Sequence, residues 1–137
     1  MLLEVEWRML RQGHQLWQDR RCLYAYIDRP SHRILYIGKA DYQTVRQRLH
    51  GPHKDQILNF CRQQLGVTQF GILHGHLWLE DGTRRSSKLL ADIESLLIMR
   101  LRPPGNIAST RSRYIRPGLQ LKCTGAWPHR RTGFRDV

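Results

Sequence analysis

The sequence predicts an α+β protein built on a small three-stranded, mainly antiparallel sheet flanked by helices. Three observations lead there. Two β-rich runs, CLYAYI and RILYIG at 22–27 and 33–38, flank the turn-forming residues Asp28, Arg29, Pro30 and Ser31. A third run, VTQFGILHGHLWL at 67–79, carries apolar residues on both parities, as a central strand does. The remaining apolar segments have helical spacing or none.

Taken in order, residues 2–18 place Leu3, Trp7, Leu10 and Trp17 at helical intervals, which predicts an amphipathic helix weakened by Gly13. The two Tyr-bearing runs then form a hairpin. QTVRQRLH at 43–50 reads as a short helix ending near Gly51-Pro52. KDQILNFCRQQL at 54–65 reads as a second helix, stopped by Gly66. After the third strand Asp81-Gly82 turns the chain. Ser86 or Ser87 caps a strong helix over 88–101, and Pro103-Pro104 ends it. Beyond Asn106 periodicity fades. The organisation is an N-terminal helix packed on the domain (1–21), a core (22–106) and a basic C-terminal extension (107–137).

A chain of 137 residues suits one domain, and 40% hydrophobic content supplies a core. No run of eighteen apolar residues exists, and the acidic start MLLEVEW lacks the basic n-region of a secretory signal. Cys22, Cys61 and Cys123 are odd in number and far apart, with no Cys-x-x-Cys pair. Neither a disulfide framework nor a zinc knuckle is suggested, and a reduced, cytoplasmic setting is the expectation. His74 and His76 share one strand face. With no third ligand in view they are read as packing residues.

Charge is the strongest global signal. Lys and Arg number 23 against 11 Asp and Glu, a net charge of +12. Such an excess concentrates polyanions and speeds encounter with them, so nucleic acid is the expected partner. From Asn106 onward seven basic residues face one acid, which is half of the net charge.

Two features ask for chemistry. On a helix turning about 100° per residue, Glu94 falls on the shoulder of the apolar face formed by Leu89, Leu90, Ile93, Leu96, Leu97 and Leu101. A carboxylate so close to a core must pair, take a proton or bind a metal. A salt bridge to one of the many basic residues is the plain alternative. In the hairpin, Tyr24 and Tyr36 project toward one side of the sheet if the arms pair, with Gly38, Lys39, Arg46 and Arg48 following. Core or surface packing is the commoner role of strand tyrosines.

Together these residues resemble the GIY-YIG nuclease family. Cys22-Leu23-Tyr24 stands where Gly-Ile-Tyr would be, and Tyr36-Ile37-Gly38 matches the second motif outright. VRQRL supplies the helical arginine, with Arg48 the better match and Arg46 second. IESLLIMRLRPPGN supplies Glu94 and, after the proline-rich break, Asn106. The resemblance covers roughly residues 22–106. It implies a GIY-YIG-like fold and a metal-dependent endonuclease that hydrolyses phosphodiester bonds in DNA with one Mg²⁺ or Mn²⁺ held by Glu94. It implies Tyr24 as general base, Tyr36 orienting water or phosphate, Arg48 stabilising transition-state charge, and Asn106 fixing the site. Lys39 and Arg48 are the cations placed to lower the phenol's pKa. His53 is an auxiliary base, with a solvated loop histidine as the plainer reading. Arg46, Arg84, Arg85, Arg111, Arg113 and Arg116 are the expected phosphate contacts on duplex or branched DNA. Cutting both strands would call for a homodimer. The competing expectations are a catalytically inactive nucleic-acid-binding module on the same scaffold and a basic protein-interaction subunit.

Overall fold

The structure is a computed structural model that describes residues 2–109 and 116–136. The three-stranded, mainly antiparallel sheet that the sequence predicts is instead a six-stranded mixed sheet. The strands are β1 (Leu2–Met9), β2 (Cys22–Asp28), β3 (Ile34–Ala40), β4 (Phe70–Trp78), β5 (Gln120–Gly125) and β6 (Gly133–Arg135), and the spatial order is β3-β2-β4-β1-β5-β6. β1 pairs parallel with β5, and every other pairing is antiparallel. The helices are α1 (Val45–Arg48), α2 (Pro52–Leu65) and α3 (Ser87–Leu101), with 3-10 turns at Gln15–Gln18 and Pro104–Ser109.

The three additional strands come from the segments read as flanking parts. Residues 2–9 form a strand, not a helix. Leu3, Val5 and Trp7 are buried while Glu4 and Glu6 between them are half-buried. That period-2 alternation outcompetes the helical spacing of Leu3, Trp7 and Leu10 once β4 and β5 offer hydrogen-bonding edges on either side. In the tail, Leu119, Leu121 and Cys123 are buried on one parity. Trp127 stacks against Trp7 at 5.1 Å between ring centroids, and Phe134 closes the same cluster. The tail therefore completes the sheet around β1.

The sheet separates two cores. On one face α3 packs Leu90, Ile93, Leu96 and Leu97 against Leu23, Ala25, Ile37 and Leu73. On the other, α1 and α2 pack Val45, Leu49, Ile57, Leu58 and Cys61 against Cys22, Tyr24, Tyr26 and Tyr36. Caps define the helices. The Ser86 side chain accepts from Leu89 N at 3.1 Å at the start of α3. Thr44 and Gln47 exchange bonds of 3.2 and 2.9 Å in a capping box that opens α1. Gly66 ends α2 at φ +70°. No helix among the described residues is long and apolar enough to cross a membrane.

Candidate functional site

β3 is an edge strand, and its outer side is where the expected site residues meet. Asn106, 1% exposed, covers the middle of that edge. Its Oδ1 accepts from Ile37 N at 2.8 Å and its Nδ2 donates to Ile37 O at 2.9 Å. It thus satisfies the two backbone groups that an edge strand leaves bare. Toward the C-terminal end of β3, Tyr36, Lys39, Arg48, His53 and Glu94 line one cavity of about 530 Å³, together with Asp41, Tyr42 and Gln43.

Three different routes bring the charged groups there. Lys39 has the parity of Ile37, which packs toward α3, whereas Tyr36 points to the opposite face. The cavity therefore wraps the sheet edge and collects side chains from both faces. That is how Glu94, only 8% exposed on the α3 side, shares a space with Tyr36. Arg48 is the last residue of α1, so the Thr44 capping box aims it. His53 stands in the first turn of α2, and its Nε2 lies 3.1 Å from the Tyr36 hydroxyl.

The tyrosines form a cluster of three. Tyr26 lies directly opposite Tyr36 in register, and Tyr24 lies opposite Gly38. Ring centroids are 5.8 to 6.1 Å apart. Tyr24 is 1% exposed and sits beneath Tyr36 rather than on the cavity wall. Burial pushes its phenol far above the ordinary value, Tyr36 adds to the rise, and Arg48 only partly opposes it. Burial likewise raises the Tyr26 phenol. The His53 imidazole is held below its usual value by burial and by Arg48, so it is neutral at pH 7.

Asp41 is the functional candidate that sequence reasoning missed. Its Oδ1 is buried without a hydrogen-bond partner, and Arg21 Nε stands 3.6 Å away as an ion pair only. An acid immediately after the strand of the second tyrosine motif was the available signal. Tyr42 beside it is 75% exposed, and its hydroxyl accepts from Ser87 Oγ at 3.2 Å.

The expected phosphate contacts are dispersed. Arg46 lies over Trp17 at 5.9 Å and lines a separate cavity with His50 and Lys54. Arg84 is exposed in the loop before α3, and the Arg85 carbonyl accepts from Arg21 Nη1. Arg116 is committed elsewhere, with its Nε 2.7 Å from Asp92 Oδ2 in an ion pair. Arg111 and Arg113 lie outside the described residues.

Compared with family models, with curated proteins and with solved structures, the chain finds no match.

Proposed function

We propose that the chain is a metal-dependent endonuclease that hydrolyses phosphodiester bonds in DNA with the help of one divalent ion and a tyrosine base. The observation that carries this reading is convergence. Tyr36, Lys39, Arg48 and His53, from three consecutive elements, line one cavity with Glu94, which α3 brings from about forty residues further along the chain. Their types and their order along the chain resemble those of the GIY-YIG nucleases, and the net charge of +12 suits a polyanionic substrate.

The donor set fits Mg²⁺ or Mn²⁺. Glu94 offers a carboxylate with little exposure, and Asp41 offers a buried oxygen that has no hydrogen bond and only a 3.6 Å ion pair with Arg21. Hard oxygen ligands of this kind, few in number, suit an ion that keeps several waters. When bound, such an ion neutralises phosphate charge and stabilises the leaving alkoxide.

The chain's own groups do the rest. Lys39 and Arg48 bind the scissile phosphate, and Arg48 stabilises the charge that grows on it. Tyr36 Oη, on the cavity wall, takes the proton of the attacking water and passes its own to His53 Nε2. His53 is neutral and exposed, so it receives that proton and returns it to solvent. The resemblance gives the base role to Tyr24. Its burial and raised pKa favour a different one, in which it hydrogen-bonds Tyr36 from below and orients that hydroxyl. Asn106 holds the strand that presents Tyr36.

The test is a cleavage panel of supercoiled plasmid, flap and branched DNA with Mg²⁺ or Mn²⁺, run beside a binding assay. Wild type should nick, and Glu94→Ala should lose at least a hundredfold in rate with DNA binding retained. Binding without cleavage by wild type on every substrate would instead make the chain a DNA-binding module on this scaffold.

A further inference from the structure

His74 acquires in the fold the neighbours that its sequence context did not reveal. It is wholly buried in β4, directly opposite Tyr24 of β2. Its Nε2 lies 2.8 Å from Asp19 Oδ2. A carboxylate only accepts, so without a metal that bond makes Nε2 the donor. Nδ1 is buried and has no hydrogen-bond partner. Cys22, also wholly buried and free of any disulfide, stands beside the Asp19–His74 pair. One donor atom each from Asp19, Cys22 and His74 lie within 4.8 Å of one another.

We propose that Asp19, Cys22 and His74 hold a zinc ion, at a site separate from the cavity of Glu94. An ion held between Asp19 and His74 takes the place of the hydrogen on Nε2, and the ring keeps its one proton on Nδ1. A thiolate, an imidazole and a carboxylate form a ligand set that zinc takes and that Mg²⁺ does not. In a tetrahedral zinc site two ligand atoms stand about 3.3–3.5 Å apart, from bond lengths of about 2.3 Å to sulfur and about 2.0 Å to nitrogen or oxygen. The Asp19–His74 pair, 2.8 Å apart, opens slightly to that spacing, and all three donor atoms already lie within 4.8 Å of one another. A 240 Å³ cavity lined by Glu6, Arg8, Leu16, His74, His76 and Trp78 adjoins the His74 side of the site.

Without a metal, burial pushes the Cys22 thiol up to about 12, which makes it an inert packing group. A bound cation takes the place of that proton, which leaves to solvent. The ion would clamp three parts of the fold. Cys22 opens β2 and His74 lies in β4, while the Asp19 carbonyl accepts from Val45 N at 3.0 Å at the start of the helix that carries Arg48. The departure at the first tyrosine motif, Cys22 where the nuclease family has Gly, then has a physical account as a metal ligand.

Cobalt alone serves as the probe. The full chain, stripped with chelator and titrated with Co²⁺, should bind one ion with a thiolate-to-cobalt charge-transfer band in the near ultraviolet, and Zn²⁺ should displace it one for one. Cys22→Ser should abolish the band and Asp19→Asn should weaken binding at least tenfold, whereas Cys61→Ser and Cys123→Ser should keep it. Glu94→Ala should also keep it, which separates this site from the nuclease reading. Absence of the band in folded wild type, or its survival in Cys22→Ser, would overturn the proposal. The wild-type titration decides the matter even if Cys22→Ser fails to fold.

Discussion

The Tyr24 phenol lies directly across Gly38. A Cβ on Gly38 would come within 2.5 Å of both Cζ and Oη of Tyr24. The glycine of the second tyrosine motif is thus the floor on which the tyrosine of the first one rests. Gly38→Ala should force the Tyr24 ring out of place in a dry, packed cluster. The expected cost is about 1–3 kcal/mol of stability, with loss of nicking well beyond what that destabilisation explains. Thermal unfolding and plasmid cleavage measured on one preparation check it, and an alanine variant with wild-type activity would refute it.

Asn106 should prove to be a residue of architecture. Asn106→Ala strips the partners from a buried N–H and a buried C=O of Ile37, at about 1–3 kcal/mol for each group left unsatisfied. A fall of about 2–6 kcal/mol in urea denaturation is expected. Asn106→Asp should be no better, because a carboxylate keeps one bond and repels the Ile37 carbonyl. Wild-type stability in either variant contradicts the edge-covering role.

The pH dependence of cleavage should carry the signature of His53. Its imidazole titrates below the ordinary 6.5 because burial and Arg48 disfavour the charged form. The base must be neutral, so under the proposed mechanism cleavage should rise as pH climbs through that lowered value and level off above it. It is lost on the acid side as the ring takes a proton. His53→Ala should remove this acid limb and lower kcat by about a hundredfold. An acid limb unchanged in His53→Ala would exclude the Tyr36–His53 relay.

Arg116 should matter for folding more than for DNA. Arg116→Ala leaves the Asp92 carboxylate nearly buried without its ion-pair partner. The pair keeps some contact with water on the arginine side, so the loss should be about 2–3 kcal/mol, below the range for fully buried pairs. Asp92→Asn with Arg116→Ala should recover part of it, a coupling that a double-mutant cycle in urea reads directly. Strictly additive losses would show that the pair is energetically idle.

Where the chain carries punctuation, local signals were enough. Ser86 and Pro103 bracket α3, Gly66 ends α2, and the Asp28–Ser31 turn sets the hairpin, because each acts within a few residues. β1 is ambiguous in sequence, because Leu3, Trp7 and Leu10 satisfy a helical period while Leu3, Val5 and Trp7 satisfy a strand period. Only the partners on both sides, β4 and β5, decide between them. The tail was read as an extension because its strands are short, and Leu119, Leu121 and Cys123 become a core face only against Trp7 and α3. The same holds for the site. Residue types picked out Glu94, Tyr36 and Arg48, but the place of Asp41 on the cavity wall and the burial of Tyr24 are set by how β3 sits at the sheet edge.

The parallel pairing of β1 with β5 has a bearing on biosynthesis. Leu2 cannot meet Gln120 until nearly all of the described chain has left the ribosome. The hairpin and β4 can assemble well before then, but the first strand waits with one side uncovered. A nascent chain that stalls short of its last strands would expose that side as a sticky ribbon, and chaperones would be expected to find it there.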